Sequence, residues 1–524
     1  MVEAWLFTDQ GVIVYPDGSS TGTVRQLEDF FAEIPQKELD KAILFDCKNL
    51  YKRFPELQEV DPAKIFDVQL AAYVQNPANN FADVPEALAK LVPEFTVNAE
   101  QDAARGLLLL YEKLADIAEH KVYKELELPL AKVLANMESR GIFTDKAALE
   151  KFGSILKTQI KESENNIYTL AQKEFNINST KQLSELLFEE LKLPPPGKKT
   201  KNGYSTDAET LEKLRDAHPI IDGILKYRKM SKVYSTYVEG LLKYIDSANK
   251  VHTTFNMTAT ATGRLSSTEP NLQNIPVANE PGGEIRKYLL PGDGRVFIDA
   301  DYSQIELRIL AHMAHDPVMI EAFQCNQDIH SITAQQIFGI KADEITPELR
   351  RRAKAVNFGI VYGISPFTLA ADLKISRDEA KEYIDKYFEK YSAIKSYLDN
   401  TIKSARKLGY VETLFHRRRY LPELHSKVFA VRSFGERVAL NMPIQGTAAD
   451  LIKLAMIKVD SELKKTGTQA ELLLQIHDEL LLSATGKDAE KAAEILQRVM
   501  QNIYPLAVPL DVSLHIGKNY YDVK

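Results

Sequence analysis

The sequence predicts a chain of mixed α and β structure that folds into more than one domain. It has 524 residues, enough for roughly three or four domains of about 150 residues each. Short strand-like segments bounded by turn residues occur near both ends of the chain. Long segments rich in Leu, Lys, Glu and Ala lie between them and predict helices. These observations favour an α+β, multidomain architecture.

Composition excludes several other classes. Hydrophobic residues make up 44% of the chain and charged residues 27%, as in ordinary globular proteins. The apolar runs are too short to span a bilayer, and the first residues lack the features of a signal peptide. Two cysteines, Cys47 and Cys325, lie far apart and favour a reducing compartment without disulfides. We therefore expect no membrane partner.

The charge pattern leaves two interpretations open. A net charge of −7 argues weakly against a polyanionic partner, but binding depends on local patches. Basic residues cluster at 197–201, 226–232, 350–354 and 416–420, with tyrosines among them. Solvated surface is the better interpretation of any single cluster. Four clusters together make nucleic-acid binding an equal alternative.

The first half of the chain can be divided by its turn signals. Residues 1–100 predict short strands and helices, with a turn at Pro16-Asp17-Gly18. Residues 101–190 predict helices. A Pro run followed by a basic segment, at 193–206, interrupts the helices. This segment is either a plain linker or a basic loop that contacts a phosphate backbone. Helices resume at 208–247, and a long polar segment at 252–276 is typical of a functional loop.

Two acidic sites follow in the second half. Residues 295–314 predict a strand that runs into a helix, with Asp299 and Asp301 on one strand face and Glu306 on the first helical turn. Residues 316–430 are mostly helical, and 471–484 predict a hairpin with His477, Asp478 and Glu479 at its tip. One Asp from each element could hold a pair of Mg²⁺ ions for phosphoryl transfer. Taken singly, each acid is more simply a solvated turn residue.

The segment 350–363 supplies what such a metal site lacks. Arg350, Lys354, Phe358 and Tyr362 recur every four residues, along one helix face. The cations could clamp phosphates and the aromatic residues could pack on a sugar and base, so the stripe matches a nucleotide. A surface helix whose aromatic side chains enter the core is the alternative.

Several amide and guanidinium side chains could contact the DNA minor groove, whose edges display similar acceptors for every base pair. Loop and capping hydrogen bonds are the alternative role for such residues. The candidates are Arg264, Asn271, Gln273, Asn274, Asn441 and Gln445.

Six ordered motifs then identify a resemblance. They are TATGRLSSTEPNLQNIP, DYSQIELR, RRRAKAVNFGIVYG, HRRRYLPE, PIQGTAADLIK and QIHDEL. From about residue 120 to Lys524 the chain resembles the family A DNA polymerases. The resemblance implies a right-hand fold, with an antiparallel palm sheet and helical fingers and thumb, preceded by an α/β ribonuclease H-like exonuclease-type domain. The implied boundaries are 1–118 exonuclease-like, 119–258 thumb, 259–312 palm, 313–432 fingers and 433–524 palm.

The resemblance also implies a template-directed DNA polymerase that uses two Mg²⁺ ions, with Mn²⁺ as the expected substitute. Asp301, Asp478 and the Tyr302 carbonyl match the metal ligands, with Glu479 nearby and Asp299 outside the matched motif. The implied partners are primer–template duplex DNA and dNTPs, and the implied form is a cytoplasmic bacterial monomer.

Further roles follow from the matched motifs. Arg350, Lys354 and His330 should contact the triphosphate, and Lys354 should protonate the leaving pyrophosphate. Phe358 should stack on the nucleotide, Tyr362 should lie beside the template base, and Glu306 should exclude a 2′-hydroxyl and hydrogen-bond Tyr362. Gln304 is a further nucleotide contact. The remaining implied DNA contacts are Arg264, Asn271, Gln273, Asn274, Arg437, Asn441, Gln445, His477 and Lys232.

The front of the chain departs from the family pattern. Proofreading needs an Asp-x-Glu on the first strand, and none occurs in the first hundred residues. Tyr51 stands where a second metal aspartate is expected, and Asp102 alone could not hold metals. We expect an inactive exonuclease-like domain. A single-subunit RNA polymerase, a catalytically dead DNA-binding protein and a lone nuclease are the alternatives.

Two glycines complete the sequence predictions. Gly359 is expected to leave room beside Phe358, where a base pair and the helix close together. Gly363 is expected to let the chain turn after Tyr362.

Overall fold

The computed structural model describes residues 1–34, 38–195, 197, 201, 203–278, 280 and 282–524. Contacts divide the chain into two compact units. The first comprises residues 1–140, 255–267 and 298–514, and the second comprises 141–254, 268–297 and 515–524. Among the described residues, no helix combines the length and the apolar character that a membrane span requires.

A five-stranded sheet forms the front of the first unit. Its strands are β1 Val2–Thr8, β2 Gly11–Pro16, β3 Thr23–Arg25, β4 Lys41–Leu44 and β5 Ile65–Asp67. Their order is β3-β2-β1-β4-β5, with β1 antiparallel to β2 and parallel to β4. The chain turns at Gly18, where φ is +73°, so the predicted turn is confirmed. The helices are α1 Leu27–Glu33, α2 Cys47–Arg53, α3 Val68–Gln75, α4 Val84–Leu91, α5 Glu100–Leu114 and α6 Leu128–Arg140.

The second unit is mostly helical. Its elements up to residue 251 are β6 Ile142–Thr144, α7 Lys146–Ala171, α8 Thr180–Ser184, α9 Ala208–Lys213, α10 Ile220–Lys232, α11 Gly240–Leu242 and β7 Lys250–Val251. Helix α7 packs along α10, and Ile167, Leu187 and Ile224 are fully buried in the core of this unit. The predicted helices are confirmed. Five residues of the predicted segment 193–206, at 196, 198–200 and 202, lie outside the described residues.

The polar segment that follows forms a small hairpin. The strands β8 Thr254–Asn256 and β9 Ser266–Thr268 pair with each other. The long connection between them, residues 257–265, carries Arg264. This hairpin therefore presents the polar loop predicted from the sequence.

A four-stranded sheet positions the acidic residues. The remaining strands are β10 Leu289–Leu290, β11 Arg295–Tyr302, β12 Tyr410–Glu412, β13 Arg418–Tyr420, β14 Ala470–Ile476, β15 Glu479–Thr485 and β16 Val512–Gly517. The order in the sheet is β14-β15-β11-β16. Strands β14 and β15 are antiparallel, with Ile476 opposite Glu479. The predicted hairpin is confirmed, and its turn consists of His477 and Asp478 only.

Nine helices accompany this sheet in the described part of the first unit. They are α12 Ile305–Ala314, α13 Pro317–Gln324, α14 Ile329–Phe338, α15 Pro347–Val361, α16 Pro366–Leu373, α17 Arg377–Lys390, α18 Ser392–Leu408, α19 Phe429–Lys465 and α20 Ala489–Gln501. Helix α12 follows β11 after a two-residue turn, which confirms the predicted strand-to-helix transition. Helices α14 and α15 pack together, as do α12 and α19.

Candidate active site

Two carboxylates come together where strands β11 and β15 lie side by side. Asp301 is the penultimate residue of β11, and Asp478 lies in the turn between β14 and β15. The backbone N–H of Tyr302 donates to the carbonyl oxygen of Asp478 at 3.2 Å. This bond fixes the end of the strand against the turn, so two acids that are far apart in the sequence become neighbours.

The environment of Asp478 favours a cation. Burial raises the pKa of this carboxyl to about 6; the Arg264 guanidinium opposes the rise, and the negative charges of Glu306 and Asp301 add to it. A cation beside the two aspartates would relieve their repulsion. Their donors are carboxylate oxygens, which are hard ligands that suit Mg²⁺.

The donor set also indicates how a metal would be held. Within the part of the chain that the structure describes, no three His, Cys, Asp or Glu side chains are grouped to hold a metal ion. Mg²⁺ commonly takes one or two protein carboxylates and completes its shell with water and substrate phosphate. Asp301 and Asp478 therefore fit an ion that is shared with a phosphate ligand.

Three further predicted residues surround this pair. Asp299 is 1% exposed and Glu479 is 5% exposed, whereas Asp301 and Asp478 are both partly exposed. Gln304 caps α12 with a left-handed φ of +55°. Asp301 and Asp478 are thus more accessible to a ligand than Asp299 and Glu479.

Helix α15 carries the cationic and aromatic stripe. Its start is set by Thr346, which caps the first turn, and by a proline at the first helical position. Arg350, Lys354 and Phe358 follow at intervals of four residues, so they share one face. Tyr362 is the residue that ends the helix, so the stripe extends to the helix terminus but not beyond it.

The cationic end of this face is bound by a carboxylate. Arg350 Nε lies 2.6 Å from Asp328 Oδ2, and Arg350 Nη2 lies 3.3 Å from Oδ1. Asp328 caps α14. Burial opposes ionisation of this carboxyl, but hydrogen bonds from Arg350 and Ser331 outweigh it and lower its pKa to about 2. Asp328 was not among the residues predicted from the sequence, although an Asp directly before a helical segment is a recognisable N-cap.

His330, on α14, packs beside the aromatic part of this face. It is 2% exposed, and its ring centroid lies 5.9 Å from that of Phe358. Burial lowers its pKa to about 4, so the imidazole is neutral at pH 7. The Asn357 amide nitrogen lies 2.9 Å from His330 Nδ1 and can only donate, which leaves the proton on Nε2. Asn357, a polar residue on the inward, otherwise apolar side of α15, was also not predicted from the sequence.

Glu306 acts electrostatically on Asp478 and is hydrogen-bonded to the residue at the end of α15. Tyr362 Oη donates to Glu306 Oε2 at 3.2 Å, which confirms the predicted hydrogen bond. Arg264 Nη2 lies 2.8 Å from Glu306 Oε1, and Gln445 Nε2 donates to Tyr362 Oη at 3.1 Å. Four residues predicted to contact a nucleotide or the minor groove therefore form one hydrogen-bonded group.

Two glycines take part in ending α15: Gly359 lies in its last turn, and Gly363 directly follows the C-cap residue Tyr362. Gly363 has a φ of +64°, so the predicted turn is confirmed. Its N–H donates to Ile360, and the N–H of Ile364 donates to the Gly359 carbonyl, which is the hydrogen-bond pattern of a Schellman motif. A Cβ on Gly359 would lie 2.9 Å from Ile364 Cγ2. The prediction that Gly359 leaves room for a base pair beside Phe358 was therefore wrong, because the Ile364 side chain occupies the space beside Gly359.

Helix α19 aligns three of the predicted DNA contacts. Arg437, Asn441 and Gln445 lie four residues apart and share a face. Arg437 and Tyr362 also line a cavity of 840 Å³ next to the end of α15. His477 is exposed beside Asp478, in a left-handed turn with φ of +55°.

Four of the predicted DNA contacts belong to the second unit: Lys232, Asn271, Gln273 and Asn274. The amide oxygen of Asn271 accepts the N–H of Gln273 at 3.0 Å and caps the short helical turn Leu272–Asn274. Lys232, at the end of α10, lines a cavity of 650 Å³ with Lys157 and Arg228.

The basic clusters differ in accessibility. Arg417, in the 416–420 cluster, is 1% exposed. Its guanidinium contacts Glu127 and Asp450, so it cannot bind DNA, and the nucleic-acid interpretation is wrong for this residue. Arg351 and Arg352, in the 350–354 cluster, pair with Glu348 on their own helix.

The front of the chain shows no carboxylate cluster among its described residues. Tyr51 is buried. Asp102 accepts the N–H groups of Asn98 and Ala99 at 3.0 and 3.1 Å, which is a capping role at the start of α5.

Comparisons with known proteins agree with this geometry. A sequence profile described as DNA polymerase family A matches residues 146–522. DNA polymerase I of Bacillus caldotenax is 47% identical over 487 residues, which cover 88% of this chain and 55% of that protein. DNA polymerase I of Caldicellulosiruptor bescii is 45% identical over 521 residues, or 98% of this chain and 61% of that protein.

A solved structure extends the similarity to the fold. The structure of the POL domain of Pol1 from M. smegmatis, in complex with DNA primer-template and dNTP, matches with a TM-score of 0.88 at 37% identity. The match covers 99% of this chain and 95% of that one. The chain spans only 55% and 61% of the two curated relatives.

Proposed function

Because this chain belongs to DNA polymerase family A and has the polymerase fold of that family, we propose that it adds dNTPs to the 3′-hydroxyl of a primer under the direction of a template. The observation that carries the proposal is the position of Glu306, which lies close enough to Asp478 for its charge to raise the pKa of that carboxyl and accepts a hydrogen bond from Tyr362 at the end of α15. The bacterial relatives favour a role in cytoplasmic DNA replication and repair.

The proposed cofactor is Mg²⁺, held by Asp301, Asp478 and the Tyr302 carbonyl. When bound there, it would lower the pKa of the primer hydroxyl and neutralise charge on the phosphates. The protein side chains supply the rest of the transition-state stabilisation. Arg350 forms a fork that matches phosphate oxygens, and Lys354 adds a point charge. Lys354 then donates a proton to the departing pyrophosphate.

Selection of the nucleotide is proposed to use the hydrogen-bonded group around Glu306. A ribonucleotide 2′-hydroxyl would meet the Glu306 carboxylate, which Arg264 and Tyr362 hold in place. His330, Phe358 and Gln304 would contact the nucleotide, and Tyr362 would lie beside the template base. Closure of the fingers helix α15 around a correct pair would complete the site.

Contacts to primer–template DNA are assigned to side chains that surround this group. Arg264, Asn441 and Gln445 would contact the minor groove near the primer terminus, Arg437 the template and His477 the primer end. Asn271, Gln273, Asn274 and Lys232 are assigned to the duplex from the second unit. The corresponding domains are the thumb at 119–258, the palm at 259–312 and 433–524, and the fingers at 313–432.

Residues 1–118 are proposed to be an exonuclease-like domain without activity. Support comes from the lack of an Asp-x-Glu in the first hundred residues of the sequence, from the buried Tyr51 and from the capping role of Asp102. Degradation of a labelled 3′ overhang with Mg²⁺ and without dNTPs would overturn this part.

Primer extension with Mg²⁺ tests the main proposal. The wild type should extend a primer with dNTPs and use rNTPs poorly. Efficient use of rNTPs would favour a single-subunit RNA polymerase, and DNA binding without extension would favour a catalytically dead DNA-binding protein.

A further inference from the structure

The loop 257–265 carries Arg264, and residues from the front of the chain hold this loop in place. Tyr73, on α3, is fully buried, and its hydroxyl donates to the Thr260 carbonyl at 2.7 Å. The Thr258 hydroxyl donates to Asn80 Oδ1 at 2.6 Å. These contacts join positions that are 187 and 178 residues apart. All four residues belong to the first compact unit.

The hydrogen bond from Tyr73 continues to Arg264. Thr260 Oγ1 donates to the Arg264 carbonyl at 2.7 Å, so one residue accepts from Tyr73 and fixes the backbone of Arg264. The Arg264 guanidinium then lies 2.8 Å from Glu306. Three successive hydrogen bonds therefore connect a helix of the front segment with the residue proposed to exclude ribonucleotides.

The buried Arg417 packs against the backbone of the same loop at Gly263. Gly263 has a φ of +86°, and a Cβ there would lie 2.6 Å from Arg417 Nε. The Arg417 guanidinium lies 5.9 Å from the centroid of the Tyr73 ring. The loop backbone thus packs directly against Arg417 and Tyr73. The orientation of Arg264 depends on this packing.

We propose that Tyr73 is a positioning residue for nucleotide addition. Through Thr260 it holds Arg264 against Glu306, which gives the front segment a part in the polymerase reaction. This inference rests on the proposed function, in which Arg264 contacts the minor groove at the primer terminus. The ring of Tyr73 fills space, but its hydroxyl alone fixes the loop carbonyl, so the two contributions can be separated by Tyr73→Phe.

The test compares Tyr73→Phe with Tyr123→Phe. Tyr123 is a matched control because it is also a buried tyrosine of the first unit, and its hydroxyl bonds to the backbone of Asp67 instead of the loop. Tyr73→Phe should lower kcat/KM for the correct dNTP by about three- to tenfold, because a buried carbonyl loses its donor. Tyr123→Phe should leave kcat/KM unchanged.

A double substitution separates positioning from general damage. In an Arg264→Ala chain, Tyr73→Phe should cause no further loss, because its effect acts through Arg264. An equal loss in both backgrounds, no loss in the wild-type background, or no effect of Arg264→Ala would each overturn the proposal.

Amide hydrogen exchange supplies a readout that does not need catalysis. Tyr73→Phe should raise exchange in residues 258–265, Thr258→Ala should do the same, and Tyr123→Phe should not. Unchanged exchange in the first two variants would refute the positioning role. A wild-type chain that fails to extend primers would refute the proposed function instead, so the two failures are distinguishable.

Discussion

Replacing Asp328 by Asn should tighten the binding of dNTPs. Asp328 holds Arg350 at 2.6 Å, and Arg350 must leave this carboxylate to bind a triphosphate. Asn is also a favourable N-cap, so the cap of α14 is kept while the competing charge is removed. The perturbation therefore acts on the ion pair and not on the helix.

The size of the effect follows from exposure. The Arg350 and Asp328 side chains are 47% and 35% exposed, and ion pairs with this much solvent contact contribute about 0.5–1 kcal/mol. Release of that interaction corresponds to about a two- to fivefold lower apparent Kd for dNTP.

Single-turnover incorporation at increasing dNTP concentration measures this constant. The same substitution in an Arg350→Ala chain should change nothing, because the competing partner is gone. The reasoning is refuted if Asp328→Asn leaves the apparent Kd unchanged, or if it has the same effect without Arg350.

Two other substitutions test the packing around the site. Gly359→Ala should lower the free energy of unfolding by about 1–3 kcal/mol, because the added methyl group would collide with Ile364. Chemical denaturation should show that adding Ile364→Ala recovers most of that loss. No recovery would argue against the contact. Arg417→Met should lower the free energy of unfolding by about 3–5 kcal/mol, because the buried carboxylate of Asp450 loses its cationic partner and Glu127 keeps only Lys453. The matched Arg418→Met, whose arginine is 45% exposed, should lower it by less than about 1 kcal/mol, and equal losses would contradict the argument.

Local patterns predicted much of the site. The two-residue alternation of Asp299 and Asp301, followed by a helical period, predicted a strand running into a helix, and the structure has β11 and α12 there. The four-residue recurrence in 350–362 predicted a shared helix face. These predictions succeeded because each depends only on neighbours in the sequence.

The remaining features depend on partners distant in the sequence. The segment at 416–420 suggested a solvated basic surface, but Arg417 is neutralised by Glu127, 290 positions away. The salt bridge of Arg350 with Asp328, 22 positions away, is also a product of tertiary packing. A basic cluster in a sequence indicates that a counter-charge is needed and does not reveal whether protein or ligand supplies it.

The most direct test of the central claim is single-nucleotide addition on a primer–template with a defined next template base. The wild type should add the complementary dNTP in preference to the other three. Asp478→Asn should reduce the rate at least about a hundredfold, because it removes one of the two carboxylates proposed to hold Mg²⁺. The matched control Asp399→Asn, at an exposed position on α18, should retain the wild-type rate. Undiminished addition by Asp478→Asn, or addition that ignores the template base, would contradict the account.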